Sequence, residues 1–167
     1  MLEHYFRRER EFESEWLAAP FHPPRDLTLQ SSGICFSATG RITLVSDGKG
    51  WVLPGGWPEE GESLEDALGR EVAEEACARV LNWEYLGAIR TYERTTPLPP
   101  GARSMCYQAR YWARVELGPF DPHYEMTDRT EVAPSDFVAI LRWGAKRTAQ
   151  EILDAALSVE KRFSRGR

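Results

Sequence analysis

Residues 62–75 carry the groups in this sequence best placed to do chemistry. At about 100° per residue on an α-helix, Glu71, Glu74 and Glu75 fall within an arc of about 100°, beside an apolar stripe of Leu68, Val72 and Ala76. The three acids therefore project along one edge of a helix whose adjoining face is buried. Glu71 and Glu75 are like charges at i,i+4, a pairing that costs an isolated helix about 0.2–0.5 kcal/mol, so something must compensate. One solution is a solvated, salt-bridged face in which Arg70 reaches Glu74 and Arg79 reaches Glu75. The other is a divalent cation. Mg²⁺ takes hard oxygen ligands, keeps several waters and commonly completes its shell with phosphate oxygens; Mn²⁺ is the alternative ion. Such a site neutralises a diphosphate and lowers the pKa of a bound water, which is the chemistry of pyrophosphate hydrolysis.

Over residues 55–78 the sequence resembles the signature box of the Nudix hydrolase family, MutT-like members included: Gly, five residues, Glu, seven residues, Arg-Glu, an aliphatic, any residue, Glu-Glu, any residue, Gly, aliphatic. Gly56, Glu62, Arg70, Glu71, Val72, Glu74 and Glu75 occupy matching positions. With background frequencies of about 5–7% at each fixed position, a chance match at a given start is on the order of 10⁻⁷ to 10⁻⁸, which favours the metal reading over the salt-bridged face. The resemblance implies an α/β fold, a Nudix-like α/β/α sandwich with a mixed β-sheet. It also implies Mg²⁺- or Mn²⁺-dependent cleavage of the diphosphate in a nucleoside diphosphate linked to another moiety.

The same resemblance implies roles residue by residue. Glu71, Glu74 and Glu75 are the metal-binding acids, one of them also the general base, and the carbonyl of Gly55 is a further ligand. Arg70 orients a catalytic glutamate by a charge-assisted hydrogen bond, Gly56 lets the loop fold closely over the site, and Glu62 sits ahead of the helix where its dipole favours negative charge. Members of the family often recruit another acid from a later loop; Glu125 is the candidate and Glu131 the fallback. Cys77 stands in place of the box's last glycine and Ala78 in place of its closing aliphatic. A left-handed residue with a Cβ costs about 1 kcal/mol or more, so an altered helix exit is expected rather than a lost metal site.

Substrate choice lies mostly outside the box. The array typical of NADH-directed members is absent, and the proline spacing of ADP-ribose enzymes is not met. Trp57 and Tyr92 are the candidates to stack on a base and Arg94 to contact phosphate, although core packing and solvated surface are the ordinary roles of such residues. Arg94, with Arg90, Arg103 and Arg110, flanks the proline- and glycine-rich loop TTPLPPGARS. A non-catalytic nucleotide-sensing module is the competing function; such modules tend to lose the box acids, which all survive here. An EF-hand is set aside because its Asp/Asn-rich spacing is missing.

The elements that position these groups follow from patterning. A chain of 167 residues suits one main domain, and 42% hydrophobic with 28% charged residues is an ordinary globular composition. The net charge of −5 argues against duplex nucleic acid as a partner; the expected partner is a small nucleotide-type diphosphate, with a homodimer as the one larger assembly considered. Three widely spaced cysteines suggest neither a disulfide framework nor a zinc site. No apolar run reaches the roughly 18 residues that span a bilayer, and charges fill the opening MLEHYFRRER, so a cytoplasmic location without membrane attachment is expected.

Tyr5, Phe12 and Trp16, spaced seven and four apart, suggest an N-terminal helix, and PFHPPR suggests a stiff linker. This makes residues 1–25 an N-terminal helical arm and residues 26–167 the Nudix-like domain. GICFSA and RITLVS around Thr39-Gly40 predict a hairpin, Trp51–Leu53 a short strand, and Ser63 with Asp66 the cap of a helix running to about Ala76. Residues 83–92 and 104–117 predict strands, with Met105, Tyr107, Ala109, Tyr111, Ala113 and Val115 on one face. A short helix is expected over 135–143, and a capping box at Thr148 opens the last amphipathic helix.

Overall fold

The alternation over 104–117 becomes the central strand β8 (Met105–Leu117), whose apolar face receives helix α1 (Leu64–Ala76). Leu68, Val72 and Ala76 are fully buried against Ala109, Tyr111 and Ala113, so the stripe read from the helix period is the stripe that packs. The computed structural model describes residues 1–166. Around β8 the remaining strands are β1 (Glu3–Arg7), β2 (Arg10–Ala18), β3 (Thr28–Phe36), β4 (Ile42–Ser46), β5 (Trp51–Val52), β6 (Gly55–Gly56), β7 (Ala78–Glu93) and β9 (Asp128–Val132). They form one mixed sheet in the order β1-β2-β7-β8-β3-β4-β5, with β6 on β3, β9 on β4 and the β3–β8 pair parallel. Helices α2 (Pro134–Ile140) and α3 (Lys146–Arg165) cover the other face, burying Phe137, Ile152 and Ala156 with Ile34, Phe36 and Trp112. The result is the α/β sandwich expected, with helices on both faces.

The N-terminal helical arm is not formed: residues 3–18 are the hairpin β1–β2, and β2 pairs antiparallel with β7 from Phe12↔Glu93 to Ala18↔Gly87. The physical reason lies in a period of two. Glu11, Glu13 and Glu15 alternate with Phe12, Ser14 and Trp16, which puts acids on one face and apolar or small groups on the other. Glu13 pairs with Arg94 and Glu15 with Arg90 across the strands, while Phe12 stacks on Tyr5 at 5.6 Å.

Strand β1 also caps the last helix. Glu3 accepts from the backbone N–H of Arg147 (2.9 Å) and of Thr148 (2.7 Å), so the capping box expected at Thr148 is replaced by a carboxylate from the far end of the chain, and Thr148 lies inside α3. Burial pushes the Glu3 carboxyl up, but these N–H donors outweigh it and hold the pKa below the ordinary value. Glu3→Ala is expected to lower stability by about 1 kcal/mol in urea denaturation at neutral pH. The lowered native pKa means that this contribution is present above the unfolded carboxyl's pKa and is lost as pH falls through the native one.

The strand geometry opens the place where the acids gather. β9 lies along Ile42–Ser46 on one edge of β4, so β3 and β5 share the other edge. β3 pairs with β4 only at Cys35 and Phe36 and the two strands then splay. β5 and β6 fill the gap, with Gly55 opposite Ser32 and Gly56 opposite Ser31.

Candidate functional site

Helix α1 starts where its sequence says it should. Ser63 Oγ accepts from Asp66 N at 3.0 Å and donates to the Asp66 carboxylate at 2.7 Å, fixing the first turn. One turn later Arg70 gathers the acids. It donates to both carboxylate oxygens of Glu62 (2.9 and 3.0 Å), to Glu71 (2.9 Å), to Glu74 (3.3 Å) and to the carbonyl of Trp57 (3.1 Å). The bidentate grip of Glu62 fixes the guanidinium plane, and Arg70 in turn fixes two of the three helix acids. Glu62 is thus more than a dipole partner: its carboxyl is held below the ordinary value chiefly by Arg70, and then by the N–H of Glu59.

Glu75 is held differently. It is 7% exposed, and its Oε2 accepts from the backbone N–H of Gly55 at 2.9 Å. Desolvation is the main cause that raises its pKa from 4.5 to about 7; the Gly55 bond opposes this, and Glu71, Glu125 and Glu74 add to it. Glu71 is raised as well, first by desolvation and then by Glu74 and Glu125, against the pull of Arg70. Arg79 does not reach Glu75 and pairs with Glu116 at 2.8 Å instead.

Glu74 and Glu125 lie close enough to raise Glu71 and Glu75, and these four carboxylates, with one cation among them, are a donor set of the kind a hard divalent ion takes. As the side chains stand, no three acidic, histidine or cysteine groups among the described residues are gathered closely enough to hold one. Glu71 and Glu74 face Arg70, and Glu75 faces Gly55. Holding a cation there requires Glu71 and Glu74 to exchange part of their contact with Arg70.

The two glycines make the close approach. A Cβ on Gly56 would stand 2.3 Å from Glu71 Oε1, and one on Gly55, whose φ is +147°, would stand 2.4 Å from the Ser31 carbonyl oxygen. The helix exit keeps its turn without glycine: Cys77 sits at φ 47°, ψ 46°, in the left-handed region, and Arg129 donates to the carbonyls of Ala76 (2.6 Å) and Cys77 (3.3 Å). Restoring glycine removes about 1 kcal/mol of strain and adds freedom to the unfolded chain. Cys77→Gly is therefore expected to gain about 0.5 kcal/mol in denaturant unfolding, with turnover unchanged.

The other candidates fall into place less evenly. Glu125 is exposed but close enough to act on Glu71 and Glu75. Glu131, on β9, instead lines a separate cavity with Ser37, Leu117 and Phe163. Trp57 is 67% exposed and meets the site through its carbonyl. Tyr92 and Arg94 are engaged with each other, Arg94 lying 4.8 Å over the ring and ion-paired to Glu13.

A cavity of about 280 Å³ reaches Gly55, whose N–H holds Glu75, and is lined among others by Tyr5, Gln30, Ser32, Gly55, Gln108 and Trp143. Of these, only Gly55 is a site candidate from the sequence; Tyr5 enters there only as part of the N-terminal apolar stripe. The available signal was β8 itself: a strand covered on both faces that carries Gln108, Arg110 and Arg114 opposite its apolar row.

The family described as NUDIX domain matches residues 28–152. Among solved structures, a mutant of the Bacillus subtilis pyrophosphohydrolase BsRppH superposes with a TM-score of 0.68 at 19% identity, covering 96% of each chain. The NUDIX domain of Shewanella oneidensis NrtR, complexed with ADP ribose, gives 0.58 at 19% identity over 84% of this chain and 94% of that one. An ADP-ribose pyrophosphatase from Streptococcus suis gives 0.55 at 22% identity over 80% and 92%.

Proposed function

The chain belongs to the NUDIX domain family, and on that premise we propose that it is a divalent-metal-dependent hydrolase cleaving the diphosphate linkage of a nucleoside diphosphate joined to a further group. The observation that carries this reading is the gathering of Glu71, Glu74, Glu75 and Glu125 around a glycine turn that hydrogen-bonds Glu75 through the Gly55 N–H and leaves no room for a Cβ between Gly56 and Glu71. Glu71, Glu74 and Glu75, with the Gly55 carbonyl and Glu125, would hold Mg²⁺ or Mn²⁺. A bound divalent ion supplies charge neutralisation of the diphosphate and a water acidic enough to attack phosphorus.

The protein's own groups do the positioning. Glu62 locks Arg70, and Arg70 sets the rotamers of Glu71 and Glu74. The Gly55 N–H holds one oxygen of Glu75, leaving Oε1 to face a ligand or a proton. Among the described residues no helix is long and apolar enough to cross a membrane.

The test is release of phosphorylated products from nucleoside diphosphate sugars, dinucleoside polyphosphates, CoA, NADH and nucleoside triphosphates, each with Mg²⁺, Mn²⁺ or EDTA. Cation-dependent cleavage of at least one diphosphate compound is expected. Binding of such compounds with no cleavage of any would assign the chain to the nucleotide-sensing class instead.

A further inference from the structure

On the face of β8 that meets α2 and α3, side chains alternate as Gln108, Arg110, Trp112 and Arg114. Arg114 is ion-paired to Glu160. Arg110 is 1% exposed and has no carboxylate partner among the described residues. Its Nη2 donates to Gln108 Oε1 (2.6 Å) and Gln30 Oε1 (3.2 Å), its Nη1 to the Ala109 carbonyl (2.9 Å), and the Trp143 ring lies 5.1 Å away. Its Nε is buried without a partner. A guanidinium enclosed this way is unfavourable for folding alone, and it remains a cation at neutral pH.

The consequence for the two glutamines follows from donor and acceptor inventory. A guanidinium has only donors, so Arg110 fixes the carbonyl oxygen of each amide towards itself and each –NH₂ away. Gln108 Nε2 then meets Thr91 Oγ1 at 3.4 Å. Gln30 Nε2 has no protein acceptor among the described residues, and Gln30 lines the cavity that reaches Gly55. An amide whose oxygen is bound to a cation is a strengthened donor. Around it stand the aromatic rings of Tyr5 and Trp143. The lining includes Arg7 and Arg142 but no Asp or Glu, and it includes Gly55, whose N–H holds Glu75.

We propose that this cavity seats the nucleobase of the substrate and selects bases with a carbonyl at purine C6 or pyrimidine C4, such as hypoxanthine, guanine or uracil, over those with an amine at that position, such as adenine or cytosine. Gln30 is the specificity-determining donor, and Arg110 is the positioning residue that fixes its amide. The assignment rests on the reading above that the neighbouring acids cleave a nucleoside diphosphate. An amine at that position turns a donor towards a donor, whereas a carbonyl there completes the hydrogen bond.

Titration calorimetry in EDTA with IMP against AMP, and UMP against CMP, tests this without turnover, because each pair exchanges a ring carbonyl for an amine. The carbonyl member of each pair is expected to bind about tenfold more tightly. Gln30→Leu should bring both ratios to within about twofold. Gln30→Glu, which pairs with Arg110 and leaves only acceptors, should reverse the preference, an outcome that a merely structural role would not produce. Equal affinities in the wild type, ratios unchanged in Gln30→Leu, or no binding of any of the four overturn the proposal. The hydrolase reading fails separately, on absence of cation-dependent cleavage.

Discussion

Glu75→Gln is expected to lower turnover about 10³-fold and, in metal-free protein, to raise stability above neutral pH. The loss of turnover follows from removing a negative oxygen donor from the set proposed to hold the cation and move the proton of the attacking water. The gain in stability follows from burial. The native carboxyl is raised from 4.5 to about 7, by desolvation first and by its acidic neighbours next, so between those values the folded chain binds a proton that the unfolded chain has released. Stability of the metal-free wild type therefore falls as pH rises through this window. The displacement sets an upper bound of about 3 kcal/mol. Glutamine carries no such penalty and still offers an oxygen to the Gly55 N–H. Urea unfolding in EDTA at about pH 5 and about pH 8 should show the variant gaining on the wild type by about 2 kcal/mol or more. Parallel pH profiles, or turnover within tenfold of wild type, would contradict the assignment of Glu75.

Gly56→Ala should reduce kcat about 10²-fold with little change in thermal stability. The new methyl would fall 2.3 Å from Glu71 Oε1 and 2.5 Å from its Cδ, and both atoms are the far end of a flexible side chain that can swing away. The fold is spared, but Glu71 is displaced by an ångström or more, a scale of error that costs about 10²-fold in a positioned site. Gly55→Ala provides the contrast. Its Cβ would meet the Ser31 carbonyl oxygen and the Ser32 Cα, at a φ of +147°, so backbone must move and a loss of several kcal/mol of stability is expected. Similar melting temperatures for the two alanine variants would show that these close approaches are not what holds the turn.

The acidic helix was legible because everything it needs is local: a serine cap three residues before Asp66, acids at helical spacing, and an apolar stripe beside them. The hairpin at Thr39-Gly40 was legible for the same reason. The N-terminal strands were misread because Tyr5, Phe12 and Trp16 also fit a helical period, and what decides the matter is distant: Arg90 and Arg94 of β7 pair with Glu15 and Glu13. Trp57, Tyr92 and Arg94 carry the right chemistry for binding a base or a phosphate, yet two of them are tied up with each other and the third is turned to solvent. Gln30, and Arg110 beyond its place beside a loop, were obscured by alternation, which leaves them looking like the outer face of a half-covered sheet. Only the packing of α3 and Trp143 turns that face inward.

Tyr5 and Phe6, from the leading hairpin, help wall the cavity, yet they precede the stretch matched by the family, residues 28–152. The acids proposed to break the bond and one side of the proposed recognition pocket are thus encoded in separable parts of the chain. Exchange of that leading hairpin between relatives would be a route by which a lineage diversifies what it accepts while its hydrolytic apparatus stays fixed.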